Sequence, residues 1–282
     1  MSSSGDSQQK RTFNPSNILV TKDDIEEILH KYGVDKSVSK LGLWQRAFAH
    51  PSYCVNGGGK KRYQRYTPDP NEFESTGVPL QRKSYERLEW RGDKVIDNAV
   101  SAYLFKRYKR QDEGFLTKTR SKLVRKDALA DLSRKIGLAK YLLIAEYLEI
   151  DSNGRDNENN LEDCFEAFVG AMIEEFDDDR LCYTFIVNVI EEHVDMAQLI
   201  MRNNNHKDTL MRYYQKNYDG VTPVYEVLID EETGRPAGPP FTAWVLDPTG
   251  KKRVGMGQGP KRQKAQQEAA KAALKYYRVK SV

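Results

Sequence analysis

No run of apolar residues in this chain approaches the roughly 20 that a membrane-spanning helix needs, so no membrane partnership of that kind is expected. The opening Met1-Ser2-Ser3-Ser4-Gly5-Asp6-Ser7-Gln8-Gln9 lacks the apolar stretch of a secretory signal. An intracellular setting, cytoplasmic or nuclear and not secreted, is therefore expected. Cysteine is scarce. Cys54, Cys164 and Cys182 are an odd number without metal-type spacing, which argues against a disulfide framework and a cysteine-built metal site. They read as reduced thiols, Cys164 as a small core residue. Internal repeats are also lacking.

What is present is an ordinary globular composition, 39% hydrophobic and 30% charged over 282 residues, more than one typical domain and fewer than three. Net charge is only +4, but between Lys251 and Val282 ten Lys and Arg face the single acid Glu268. A block of that kind attracts phosphate, and salt weakens the attraction.

The order of elements divides the chain. Residues 1–20 read as a disordered tail, and the first domain is expected over 21–202. Thr21 caps a helix reaching Tyr32. Further helices are expected at Leu43–His50, Tyr85–Arg110, Leu116–Lys126, Ala128–Ile136, Asn160–Glu175 and Thr184–Ile200. Asp127 and Gly137 read as boundary residues. An insertion at about 56–84 is rich in Gly, Pro and charge. It is too long for an ordinary loop, and its Lys60-Lys61-Arg62-Tyr63-Gln64-Arg65-Tyr66 run suits either an RNA-gripping arm or a solvating loop. A polar linker at 203–206 leads to residues 207–282. There the pattern is a short helix (Asp208–Asn217), strands at Thr222–Asp230, Phe241–Asp247 and Arg253–Met256, and an Ala-rich helix from Lys264 to Tyr277. The fold class is thus a mostly α domain followed by a small α+β domain of α-β-β-β-α order.

Two acidic stretches carry the chemistry. They are Glu86-Arg87-Leu88-Glu89-Trp90-Arg91-Gly92-Asp93 and Leu161-Glu162-Asp163-Cys164-Phe165-Glu166-Ala167-Phe168-Val169-Gly170-Ala171. A helix turns about 100° per residue, so positions three, four and seven apart share a face. Glu86, Glu89 and Asp93 form one stripe, Asp163 and Glu166 another. Carboxylates in apolar segments are costly without a counter-charge. Oxygen ligands without histidine or cysteine suit a hard cation, Mg²⁺ with Mn²⁺ as a substitute. Gly92 in mid-helix costs roughly 1 kcal/mol against Ala and signals close backbone approach.

These residues resemble the ribonuclease III family. Glu86–Asp93 is similar to its ERLEFLGD signature, and Asp163, Glu166, Ala167, Phe168, Val169, Gly170 and Ala171 match its second motif. Ala49-His50-Pro51-Ser52-Tyr53 resembles an upstream family element. The resemblance implies a helical endonuclease domain with metal ligands Glu89, Asp93, Asp163 and Glu166. Glu86 becomes a further catalytic carboxylate with a less direct role. It also implies hydrolysis of double-stranded RNA to 5′-phosphate products with short 3′ overhangs. The family works as a homodimer through the endonuclease domain, which places Trp90 at the dimer interface. Two positions depart from the pattern: Arg91 stands for a usual leucine and Lys94 for a small residue.

Residues 207–277 resemble the double-stranded RNA-binding domain, which reads duplex shape through phosphates and 2′-hydroxyls. The implied RNA-binding residues are Lys207 and the Lys261, Arg262 and Lys264 cluster at the final helix's N-terminus. The competing expectation is a non-catalytic protein that binds or sequesters duplex RNA on the same fold.

Overall fold

Thr21 opens the first helix, α1 (Lys22–Lys31), with a capping box: its hydroxyl accepts from Asp24 N while the Asp24 carboxylate accepts from Thr21 N. The computed structural model describes residues 12–55, 57, 77–201, 205–230 and 233–279. The chain divides into two compact units, Met1–Met196 and Ala197–Val282.

In the first unit α1 is followed by α2 (Leu41–Ala47), α3 (Glu86–Arg107), α4 (Glu113–Leu123), α5 (Lys126–Lys135), α6 (Glu146–Ser152), α7 (Glu158–Phe176) and α8 (Asp179–His193). Leu161 and every residue from Cys164 to Ile173 are buried, so α7 is the central rod. It packs against α3, α5, α2 and α8. Trp44 of α2 is fully buried and meets Phe168 of α7 edge-on at 5.0 Å. Such a ring pair contributes about 0.5–1.5 kcal/mol beyond its burial. Gly137 and Asp177 take left-handed conformations at chain reversals, the first as its sequence context predicts.

Several boundaries differ from expectation. The helix expected at Leu43–His50 ends at Ala47, because His50 starts a 3-10 turn over Pro51–Tyr53. The helix expected at Thr184–Ile200 is two: α8 stops where Val194 turns extended and Lys135 Nζ takes the His193 carbonyl at 3.0 Å, and α9 (Met196–Met201) follows. Asp127 is not the cap of α5. Arg125 occupies that position, and Asp127 lies in the first turn paired to it.

The disordered tail expected over 1–20 does not describe residues 12–20. Thr12, Asn14 and Asn17 are buried, and the two asparagine side chains donate to the Ile144 carbonyl at 3.0 and 3.1 Å. Polar residues here satisfy a buried backbone group. Residues 1–11 lie outside the described residues, as do 56 and 58–76 of the insertion with its 60–66 basic–aromatic run, 202 at the end of the first domain, and 203–204 of the linker. The described flanks of the insertion meet: Val55 N donates to Gln81 O at 2.9 Å and Gln81 N to Tyr53 O at 3.0 Å.

The second unit holds α10 (His206–Asn217), strands β1 (Tyr225–Val227), β2 (Phe241–Leu246) and β3 (Arg253–Gly259), and α11 (Arg262–Tyr276). The sheet is antiparallel in the order β1-β2-β3. β1 is shorter than the expected Thr222–Asp230, and β3 runs past Met256. Leu210, Tyr214, Ala243, Val245, Ala269 and Ala273 sit at the core beneath both helices. No described helix is long and apolar enough to cross a membrane.

Candidate active site

Two glycines let α3 and α7 cross with their backbones nearly touching. A Cβ added to Gly92 would fall on the carbonyl oxygen of Glu166, and one added to Gly170 on that of Leu88. The close approach inferred from Gly92 is therefore real, and it is reciprocal. The crossing sets Gly92 of α3 directly on the backbone of Glu166.

Glu89, Asp163 and Glu166 each offer a carboxylate oxygen, and the three oxygens lie within 4.8 Å of one another. Glu89 and Asp163 are half-buried, while Glu166 is buried. Burial pushes the Glu166 carboxyl up to about 9, and the charges of Asp93, Glu162, Glu89 and Asp163 add to the effect. A carboxylate held this way is stabilised by an added cation. The donors are all oxygen, which fits a hard divalent cation and not a soft metal.

The other predicted residues are placed differently. Asp93 does not belong to the three-oxygen group; its Oδ2 accepts from Lys94 Nζ at 2.6 Å. Glu86, in the first turn of α3, accepts from Ser84 Oγ at 2.9 Å and also stands outside that group. Trp90 is 68% exposed. Arg91 finds an acid within its own chain, Glu174 of α7, at 3.6 Å.

Sequence reasoning missed three participants. Tyr85, buried just before α3, donates its hydroxyl to Asp163 Oδ2 at 2.9 Å. Burial and then the Asp163 charge raise its phenol, so it stays a donor. Glu162 brings a further carboxylate, raised chiefly by burial and countered by Lys126 Nζ at 3.7 Å. Lys126 also donates to Asn159 Oδ1 at 2.5 Å. His50, Tyr85, Asn157, Asn159, Asn160 and Asp163 line a polar pocket of about 360 Å³ beside the cluster. Position next to the Glu86–Asp93 stretch was the one available signal for Tyr85, and nothing in the sequence says where its hydroxyl points.

In the second unit, Lys261 is the N-cap residue of α11 and makes no side-chain cap bond there. Lys261, Arg262 and Lys264 are all exposed around the open amides of the first turn. Lys207 is engaged otherwise: its Nζ donates to Gln266 Oε1 at 2.8 Å and sits 4.7 Å from the Tyr225 ring centre. β3 carries Gly255 and Gly257 against α11, where any Cβ would strike the helix backbone at Ala265 or Ala269. That contact fixes the helix whose N-terminus bears the cations.

Comparison with known proteins agrees with both units. Residues 86–176 match the Ribonuclease III domain, and residues 206–277 match the double-stranded RNA binding motif. A probable ribonuclease 3 of Acanthamoeba polyphaga mimivirus is 32% identical over 274 residues, covering 96% of this chain and 48% of that protein. The chain thus spans about half the length of that relative. Ribonuclease 3 of Carboxydothermus hydrogenoformans is 36% identical over 190 residues, 67% of this chain and 77% of its own. Among solved structures, the nuclease domain of ribonuclease III from Campylobacter jejuni has a TM-score of 0.46 at 25% identity, covering 61% of this chain and 95% of that one. With its acidic helix crossing in the first unit and a duplex-RNA motif in the second, the chain belongs to the ribonuclease III family.

Proposed function

We propose that this protein is an endoribonuclease that hydrolyses phosphodiester bonds of double-stranded RNA with a divalent metal ion, Mg²⁺ or Mn²⁺. The products carry 5′-phosphates and short 3′ overhangs, and a homodimer formed through the nuclease unit supplies one site per strand. The observation that carries this reading is the meeting of Glu89, Asp163 and Glu166 within 4.8 Å at a glycine-lined helix crossing.

Glu89, Asp163 and Glu166 would hold the ion, with Asp93 as a fourth ligand once it leaves Lys94. When bound, the ion supplies Lewis-acid stabilisation of developing oxyanion charge and eases deprotonation of water. The chain's own residues position the rest. Tyr85 fixes the rotamer of Asp163 by its hydrogen bond, as outer partners of metal ligands do. The buried setting of Glu166 strengthens every charge interaction around it. In the second unit Lys261, Arg262 and Lys264 would grip phosphates beside the helix N-terminus, whereas Lys207 must first release Gln266. Three buried free cysteines accord with a reducing compartment.

The test is cleavage of a defined RNA duplex with Mg²⁺ by the wild type and by Glu166→Ala, with duplex binding followed alongside by gel shift. The wild type should cut, and the variant should bind equally well and not cut. If both bind and neither cuts, the protein is a duplex-RNA binder that keeps the fold without the hydrolysis.

A further inference from the structure

Asp93 and Glu89 share one stripe of α3, yet only Glu89 joins Asp163 and Glu166 within 4.8 Å. Asp93 Oδ2 is held instead by the ammonium of its neighbour Lys94 at 2.6 Å. Asp97 and Glu166 also act on that ammonium. Asp97 has its own cation, Arg120 Nη1 at 3.1 Å, so Lys94 is the counter-ion that serves Asp93. The Lys94 side chain is 65% exposed.

We propose that Lys94 is a positioning residue: it tethers Asp93 outside the three-carboxylate group and competes, as a built-in cation, with the divalent ion for that carboxylate. The inference rests on the metal-dependent reading above. A site that must first release Asp93 binds with an apparent Kd equal to the intrinsic one divided by the fraction of molecules already released. The tether thus raises the ion concentration needed to fill the site. Because the pair is solvent-exposed, the effect is modest, roughly two- to fivefold in Kd.

Mn²⁺ binding to the full chain without RNA, read by the electron paramagnetic resonance of free Mn²⁺, tests this. Four proteins are compared: wild type, Lys94→Met, Asp93→Asn and the double variant. Lys94→Met should tighten Mn²⁺ binding by roughly two- to fivefold. In the Asp93→Asn background the same substitution should change little, because there is no carboxylate to release. A general loss of positive charge would act equally in both backgrounds, and that result, or unchanged or weaker binding by Lys94→Met alone, overturns the tether. Lys94→Arg should bind Mn²⁺ as the wild type does, and circular dichroism checks that each variant is folded. If the wild type takes up no Mn²⁺ at all, the metal-dependent reading falls with it; if the wild type binds and Lys94→Met does not differ, only the tether is lost.

Discussion

Tyr85 shows how much one hydroxyl contributes at this site. Its ring is buried against His50, with centroids 5.8 Å apart, and its only polar atom is aimed at Asp163. Tyr85→Phe keeps the ring and its packing and deletes the donor. Asp163 then samples other rotamers, and ion affinity should weaken about 10- to 100-fold, the usual cost of losing an outer partner of a metal ligand. Duplex binding should be unchanged. Isothermal titration with Mn²⁺ beside a gel shift checks both, and equal Mn²⁺ affinity would mean that Asp163 needs no such support. This residue also marks what the sequence could say. Glu89, Asp163 and Glu166 were legible because helical periodicity alone puts them on common stripes within apolar segments. Asp93 obeys the same periodicity, but the lysine beside it decides where its carboxylate points. Tyr85, Glu162 and Lys126 enter through contacts between distant segments, Tyr85 and Asp163 lying 78 residues apart, and no local pattern encodes those.

Between elements, the governing contact is α3 on α7. Gly170→Ala would drive a methyl into the Leu88 carbonyl, and backbone cannot yield as a flexible side chain does. The helices must separate by a fraction of an ångström or more. Overpacking of this kind typically costs about 1–3 kcal/mol, and carboxylates on both helices drift apart with it. Both effects should appear together, as a lower urea midpoint and as weaker Mn²⁺ binding; loss of stability with intact Mn²⁺ affinity would uncouple crossing from site. A second link between elements is ionic. Arg155 Nε and Nη2 donate to Glu149 of α6 at 2.7 and 2.9 Å, and Nη2 reaches Asn17 Oδ1 at 3.0 Å. The Arg155 bonds hold the Glu149 carboxyl below its ordinary 4.5 against the opposing effect of burial, with Asn14 assisting. Near neutral pH the folded state gains from this pairing. As pH falls through 4.5 the unfolded chain takes up the proton first, and the gain is lost as pH drops on through the depressed folded value. Urea melts from about pH 7 down to about pH 3.5 should show Arg155→Ala with lower stability at the upper end and a shallower loss on acidification; parallel curves would exclude the pair as the source. The sequence hid this region for a physical reason. α6 has seven residues and none of them is buried, so it leaves no hydrophobic stripe to read. The 12–20 segment likewise looks like tail because its anchors are asparagines, whose value lies in hydrogen bonds that composition does not reveal.

For the molecule as a whole, the two units carry different chemistry: a carboxylate cluster in one, exposed cations at a helix N-terminus in the other. Duplex RNA presents two antiparallel strands, and on the proposed function the carboxylate cluster of one chain would meet one scissile bond at a time. On the same proposal a second copy would supply the second site. Trp90 is the residue that argues for where that copy docks. It is 68% exposed on the helix that carries Glu89 and Asp93, and an indole left in water forgoes roughly 1.5–3 kcal/mol of burial available to a large apolar side chain. Arg91 beside it is already matched by Glu174 within the chain, so the departure from leucine at that position does not leave an unpaired charge facing the partner. Trp90→Ala should shift the sedimenting species from two copies to one at micromolar protein. The single-copy variant retains its carboxylates and should nick one strand of a long duplex at a time, giving products that separate only on denaturing gels, where the wild type gives double-strand breaks visible on native ones. If Trp90→Ala still sediments as two copies and still makes double-strand breaks, the seam lies elsewhere on the nuclease unit. The exposed indole would then be unrelated to pairing of the two sites.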